Sequence, residues 1–457
     1  MSLKSTHFSV LCILLLIVAG VFYAHIWKNA PLSAPDTAGY VEVADDLRDG
    51  KLDELHDRVP GYPVLLLATH SLAPSRTLFL TQLSLYLLSV LLLAVFLDNA
   101  GISRRFIILF LLLSLLPPSV VNTAYMLTET LAAFLITAGA IALFWWFRNG
   151  RTPALILSGA AFAFSALVRP TYQFLFIMLT GILLIFPLFS HTGRKRMVCA
   201  AISIFFSSCL VLGGFSLYNR QNSNYFGLSP MLGFSLSTKT VRVIERLPDE
   251  YKDIRELLIR SRDSELIARN GSHTGVMFIW QTIPDLQRLT GLSKVELSKY
   301  MLRLNLLLIR EAPIEYIVEV TRSLSTYWLP STTDVSNFNS RTLQLLWTMI
   351  HFAVVALFFF VTLLISSFVL IIRWFPLEMK NRISVFLEPC RHLLLPFFIS
   401  ISIIAYTMAI STMVEAGSPR YRTPTDLLMF FALAIGVHFV TQVGSRSRRN
   451  EARLRRP

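Results

Sequence analysis

Charge is scarce in this chain. Only 15% of its 457 residues are Asp, Glu, Lys or Arg, and 54% are hydrophobic. Soluble domains carry about 25% charged residues. One water-soluble core has no use for so much apolar surface, so most of the chain must face lipid or other buried helices. Cysteine is sparser still. Cys12, Cys199, Cys209 and Cys390 lie in or beside apolar runs. They show neither metal-ligand spacing nor a disulfide framework, and read as small buried hydrophobes. No HExxH, Walker loop, GxSxG or paired CxxC occurs, which speaks against a zinc protease, a P-loop ATPase and a serine hydrolase. Internal repeats and low-complexity tracts are also missing.

What charge there is has a pattern. The formal net charge is +14, but the Lys and Arg sit mostly between apolar runs and at the C-terminus. That distribution is membrane topology, with membrane lipids as partners and no nucleic acid. Apolar runs of spanning length fall at about 8–27, 77–97, 106–122, 127–147, 154–168, 172–190, 197–217, 343–372, 393–413 and 425–442. The first follows Lys4 without a clear cleavage site and reads as an uncleaved anchor helix. If the ten alternate, every basic cluster falls on one side: Lys4, Arg104–Arg105, Arg148 with Arg151, Arg194–Lys195–Arg196, Arg373 to Arg391, and the tail "SRSRRNEARLRRP". That side is the cytoplasm.

The expected fold is therefore an all-α polytopic membrane protein of about ten transmembrane helices, with amphipathic helices on its outer face. The chain divides into an N-terminal transmembrane module (1–217) containing a first outer loop (28–76), an outer segment (218–342), C-terminal helices (343–442) and a basic cytoplasmic tail (443–457). Within the outer segment, "YKDIRELLIRSRDSELIARN" reads as a solvated helix. Ser293 and Glu296 form a capping box opening a helix expected along the membrane surface or on the bundle. Pro313 starts another.

Acidic residues crowd one place. "APDTAGYVEVADDLRDGKLDELHDRVPGYP", from Ala34 to Pro63, holds Asp36, Glu42, Asp45, Asp46, Asp49, Asp53, Glu54 and Asp57. Tyr40, Val43, Ala44 and Leu47 recur at helical spacing before Gly50, so a short amphipathic helix is predicted, with Glu42, Asp45, Asp46 and Asp49 on its wet face. Asp36 precedes that face and is either a helix N-cap or a functional carboxylate. Arg58, ahead of the Pro60–Gly61–Tyr62–Pro63 turn, is an interfacial anchor or a phosphate ligand. Glu129 opens the fourth spanning run, where a helix dipole favours it. Arg169 ends the fifth, at a depth where an unpaired charge is expensive. Arg420, Tyr421 and Arg422 place positive charge on the face where topology disfavours it, so something anionic should meet them. Carboxylates with arginines suit a reaction on an anionic lipid-linked group, the carboxylate acting as base and the guanidiniums steadying a leaving phosphate.

The order "PDTAGYVEVADDL", "RVPGYPVLLL", "YMLTETLAAFL", "ALVRPTY", "YNRQNSNYFGLS", "IREAPIEYI", "SPRYRTPTDLL" resembles the GT-C superfamily of polytopic glycosyltransferases. The likeness is to bacterial members akin to protein O-mannosyltransferases and the lipid A aminoarabinose transferase (glycosyltransferase family 39-like). It implies an inverting transfer from a polyprenyl-phosphate-linked sugar to a lipid, glycan or protein acceptor, on the periplasmic face of a bacterial inner membrane. It implies Asp36 as base and Glu129 as a second catalytic acid. Tyr40, Arg58 and Tyr62 match further motif positions, and Arg420, Tyr421 and Arg422 match a lipid-phosphate site. Thr37 stands where many relatives carry another acid. A divalent metal is admissible as a cofactor but required by nothing in the sequence. Two rival readings are a lipid or polysaccharide transporter and a non-catalytic subunit of an envelope-glycan complex.

Overall fold

The computed structural model describes residues 3–27, 32–51, 58–188, 193–268, 278–330, 340–372 and 392–454. The basic stretch Arg373 to Arg391, Cys390, and the acids Asp53, Glu54 and Asp57 lie outside the described residues. In chain order the helices are α1 (Leu3–Ile26), α2 (Thr37–Arg48), α3 (Gly61–Ala68), α4 (Arg76–Asn99), α5 (Arg104–Ser114), α6 (Pro117–Val120), α7 (Glu129–Asn149), α8 (Pro153–Val168), α9 (Leu175–Ile185) and α10 (Arg194–Ser223). Five more follow: α11 (Leu232–Thr240), α12 (Lys252–Ala268), α13 (Phe278–Thr290), α14 (Lys294–Glu311) and α15 (Pro313–Tyr327). The chain closes with α16 (Arg341–Ile372), α17 (Leu394–Met413) and α18 (Thr423–Leu454). Among the described residues no strand forms beyond an isolated parallel bridge between Leu32 and Tyr125.

The protein is an all-α polytopic membrane protein. Among the described residues, α1, α4, α7, α10, α16, α17 and α18 are long and apolar enough to cross a membrane. A bent pair of apolar helices has the length and composition of an eighth crossing. α5 is followed by a helical stretch, Pro117–Ala124, inclined at 64° to it, because Pro117 and Pro118 cannot extend the preceding helix. Two shorter apolar helices, Pro153–Val168 and Pro170–Ile185, occupy the remaining positions of the ten expected from hydropathy. Large side chains stand uncovered along these helices, among them Val18 and Val21 of α1, Phe206 and Leu210 of α10, and Phe360 and Leu363 of α16. Lipid is the solvent such surfaces fit. The expectation of uniformly buried cysteines is corrected here. Cys12 is buried, but Cys199 is exposed and Cys209 half-buried, on the α10 face that also presents Ile202 and Phe206.

α7 is the centre of the bundle, packed between α4, α8, α17 and α18. The antiparallel turn from α7 to α8 brings two charges together. α7 begins at Glu129 and α8 ends at Val168, so Glu129 and Arg169 come back to the same end. Small residues bring helices close, as membrane packing requires. A Cβ at Gly159 of α8 would lie 2.8 Å from the Ile204 carbonyl oxygen of α10.

The segment from α11 to α14 builds a second core, with Phe234, Ile244, Leu258, Phe278, Leu297 and Met301 at its centre. α12 is largely wet, as its sequence indicates, yet sends Ile254 and Leu258 inward. α14 opens on the expected Ser293–Glu296 capping box. Its apolar face, however, packs on α11 and α13 rather than along the membrane or on the bundle. The reason is that Leu297, Met301, Leu304 and Leu308 recur every three or four residues and find a matching protein face. α15 joins this unit to the membrane bundle: Tyr316 donates its hydroxyl hydrogen to the Met413 carbonyl at 3.0 Å.

Candidate active site

Five charged side chains from distant parts of the chain meet at one end of the bundle. Arg58 donates from Nη2 to Asp36 Oδ1 at 2.7 Å. Arg420 donates from Nη1 to Asp36 Oδ2 at 2.8 Å and from Nε to Glu129 Oε1. Arg169 donates from Nη1 to that same Glu129 oxygen at 2.9 Å. The result is a continuous row: Arg58, Asp36, Arg420, Glu129, Arg169. Three guanidiniums face two carboxylates in this row, and the charge of Glu415 also acts on Arg169.

Local structure explains why they meet. Asp36 occupies the N-cap position of α2 but makes no side-chain capping bond, so its carboxylate is turned to the arginines. Gly50 ends the helix region at φ +74°. Thr37 donates its hydroxyl hydrogen to the Met126 carbonyl at 3.1 Å and accepts from the Ala34 amide at 2.8 Å. Leu32 adds backbone bonds to Ala124 and Met126. The first outer loop is thereby stitched to the strip that leads into Glu129, and Thr37 is one of the stitches. Gln82 of α4 holds the same strip from behind. Its Nε2 donates to the carbonyls of Thr123 and Tyr125, both at 2.9 Å, and its Oε1 accepts from Tyr62 at 3.0 Å. Gly61 permits α3 to touch the end of α8, since a Cβ there would lie 2.5 Å from the Leu167 carbonyl oxygen.

Aromatic rings flank the row. The Arg58 guanidinium lies 5.1 Å from the centre of the Tyr40 ring, and that of Arg169 lies 5.2 Å from Tyr421. Tyr62 meets Tyr40 edge-on at 5.2 Å. Such faces orient a guanidinium without removing its charge.

The two carboxylates are not equivalent. The Glu129 side chain is wholly buried, whereas 31% of the Asp36 side chain is accessible. Only Asp36 is open to a substrate. Glu129 Oε1 carries both arginines while its Oε2 has no partner. Burial pushes the Asp36 pKa up, but Arg58 and then Arg420 outweigh it, and the group stays below the ordinary aspartate value. Asp36 is ionised at neutral pH. An open pocket of about 590 Å³ runs along another face of α2, lined by Ser33, Thr37, Ala38, Val41, Glu42, Asp45 and Asp46 and by none of the five residues of the row.

Of the residues singled out in the sequence, Asp36, Tyr40, Arg58, Tyr62, Glu129, Arg169, Arg420 and Tyr421 come together. Arg422 does not. It donates from Nε to Asp426 at 2.9 Å and from Nη1 to the carbonyls of Tyr327 and Leu329 at 2.7 and 3.0 Å. It ties the end of α15 to the start of α18. The expectation that both arginines of "RYR" face one phosphate is corrected: two residues along a tight turn point to different neighbours. Among the described residues no group of three or more His, Cys, Asp or Glu side chains could hold a metal ion, and Asp36 and Glu129 are both engaged by arginine. The described residues of this row do not fit a divalent cation.

Two residues are not apparent from motifs. Gln82 has a signal in the sequence, an amide inside a spanning run, which is expensive unless it finds partners. Lys239 has none. It is buried, donates to Ser323 Oγ, and burial lowers its pKa to about 8 against the pull of Glu319 and Glu415.

No protein-family model matches this chain, and no curated protein does. A crystal structure of ArnT from Cupriavidus metallidurans bound to undecaprenyl phosphate is similar in arrangement, at 12% identity and a TM-score of 0.35, over 95% of this chain and 78% of that one. Likeness of that degree says nothing about the reaction.

Proposed function

We propose that this protein is a membrane glycosyltransferase that moves a sugar from a polyprenyl-phosphate carrier to an acceptor hydroxyl, with inversion, on the periplasmic face of a bacterial inner membrane. One observation carries the reading. An accessible, ionised carboxylate stands between two arginines, in a row that continues to a buried carboxylate and a third arginine, at the end of the bundle away from the basic clusters.

The chemistry rests on the parts of this row. The acceptor hydroxyl reaches Asp36 at the accessible part of its side chain. Its proton passes to the Asp36 carboxylate as its oxygen forms a bond to the anomeric carbon. The bond from that carbon to the phosphate oxygen breaks, and its electron pair leaves with polyprenyl phosphate. Arg58 and Arg420 meet the phosphate as its charge grows, which is where fixed cations lower a barrier most. Glu129 and Arg169 stay buried and hold Arg420 in place. Arg422 braces the fold.

A transporter would carry its charges near the bilayer midplane; this row lies at helix ends. The test uses purified full-length protein with polyprenyl-phosphate monosaccharides and a panel of lipid, glycan and peptide acceptors. Sugar transfer in detergent is expected. Translocation in vesicles without transfer would replace this reading with the transporter, and neither activity would leave a non-catalytic subunit.

A further inference from the structure

The base of the proposed reaction is locked in this structure. Both oxygens of Asp36 accept guanidinium bonds, Oδ1 from Arg58 and Oδ2 from Arg420. A carboxylate held in this way is a poor acceptor for a hydroxyl proton, because charge-assisted bonds of this kind are about twice as strong as neutral ones. Something must loosen the clamp before the reaction can run.

Arg420 is built to let go without leaving. It uses two different nitrogens for two different carboxylates: Nη1 reaches Asp36, and Nε rests on Glu129. Glu129 is wholly buried and also held by Arg169, so the Nε contact is the fixed one. Asp36 is partly open, so the Nη1 contact is the exchangeable one. The phosphodiester of the proposed donor carries one negative charge, and its unesterified oxygens can accept from Arg58 and Arg420 in place of the Asp36 carboxylate.

We infer that the donor phosphate arms the base: it draws Arg420 Nη1 off Asp36 while Nε stays on Glu129, so Asp36 can take a proton only after the donor is seated. This rests on the proposed donor reading. It gives Glu129 the part of a buried pivot and makes Arg420 a positioning residue that senses the phosphate.

The charged and titratable groups facing Asp36 are Arg58, Arg169, Arg420, Glu129, Tyr40 and Tyr421. Of these, the inferred motion alters only Arg420 and its bond. The test follows the infrared carbonyl band of protonated Asp36, identified by its loss in Asp36→Asn, through a pH titration of the full chain. The probe is a polyprenyl monophosphate without sugar, and its binding is checked separately by mass spectrometry of the intact complex. In the natural protein the probe should raise the midpoint by at least about one pH unit, the scale of removing one neighbouring opposite charge. In Arg420→Gln the midpoint should be raised already, and the probe should add little. If the probe binds and the midpoint stays put, or rises equally in Arg420→Gln, the arming step is wrong while the donor reading stands. If no probe binds the natural protein, both fall. Should Arg420→Gln bind no probe, the structure of the natural complex decides. Arg420 Nη1 more than about 4 Å from Asp36, beyond ion-pair range, upholds the inference. Contact kept at its present distance overturns it.

Discussion

The two ends of the helix bundle use the same residue in opposite ways. At one end Arg58, Arg169 and Arg420 are bonded to carboxylates, which are in turn shared between arginines. At the other, Arg196 donates to the carbonyls of Trp146 and Phe147 at 2.9 and 2.7 Å, Arg148 lies over Phe96, and Arg105 over Phe106. These arginines cap helix ends and rest on rings, which suits anchors at a lipid boundary. The difference teaches that positive charge alone does not mark a site in a membrane protein. What marks it is positive charge on the disfavoured face, paired with acid from distant segments, with one member left open.

The largest break in that comparison should come from Glu129→Ala. It strands Arg169 and the Nε of Arg420 in a buried place, and breaking such a pair costs about 3–5 kcal/mol. The variant should melt far below the natural protein and lose activity with its fold. Removing an anchor by Arg196→Ala should leave turnover close to normal. Equal effects at the two ends, measured as melting temperature and rate, would erase the distinction.

Arg420→Ala and Arg422→Ala sharpen the contrast within one turn. Arg420→Ala should lower the rate or the donor affinity by roughly ten- to a thousandfold, the scale of a lost charge-assisted contact. Arg422→Ala should lower the melting temperature instead, because Asp426 and two carbonyls lose their donor, and its donor KM should barely move. A donor KM that rises as much for Arg422→Ala would return that residue to the phosphate.

Lys239 gives a smaller effect with a definite sign. Its pKa in the fold, about 8, lies below the ordinary lysine value of about 10.4. Between the two, the unfolded chain holds a proton that the fold does not. Stability therefore rises with pH across that window. The melting temperature of the natural protein minus that of Lys239→Met should increase from pH 8 to pH 10; a constant difference would mean that the amine does not titrate there. Smallest of all should be Asp45→Asn and Asp49→Asn. Both sit on the wet face of α2 beside Arg48, and rates within about twofold are expected, since exposed ion pairs contribute little.

Much of this is legible in the residues because membrane folding obeys few rules. Hydropathy locates the ten apolar runs, and charge between them sorts the ends. Asp36, Glu129, Arg169 and Arg420 stand out because each is a charge placed where a helix end meets lipid. What is not legible depends on side-chain direction. No spacing rule separates Arg420 from Arg422; a tight turn does, by pointing one at Glu129 and the other at the Tyr327 carbonyl. Thr37 reads as a missing acid, yet its hydroxyl bonds to Met126 and fixes the loop that carries Asp36. α14 looks like a surface helix because amphipathicity says only that one face is covered. Whether lipid or α11 covers it is decided by a partner far along the chain.

The most direct measurement is turnover of a polyprenyl-phosphate monosaccharide by Asp36→Asn, matched to the natural protein for expression and melting temperature. Asparagine keeps the shape, and there is no capping bond to lose; the proton acceptor goes, and with it the charge that Arg58 and Arg420 meet, so matching for melting temperature separates the two losses. A general base contributes at least about a hundredfold, so a folded variant slower by that factor or more is the predicted result. A folded Asp36→Asn that transfers sugar at the natural rate would contradict it and remove Asp36 from the chemistry.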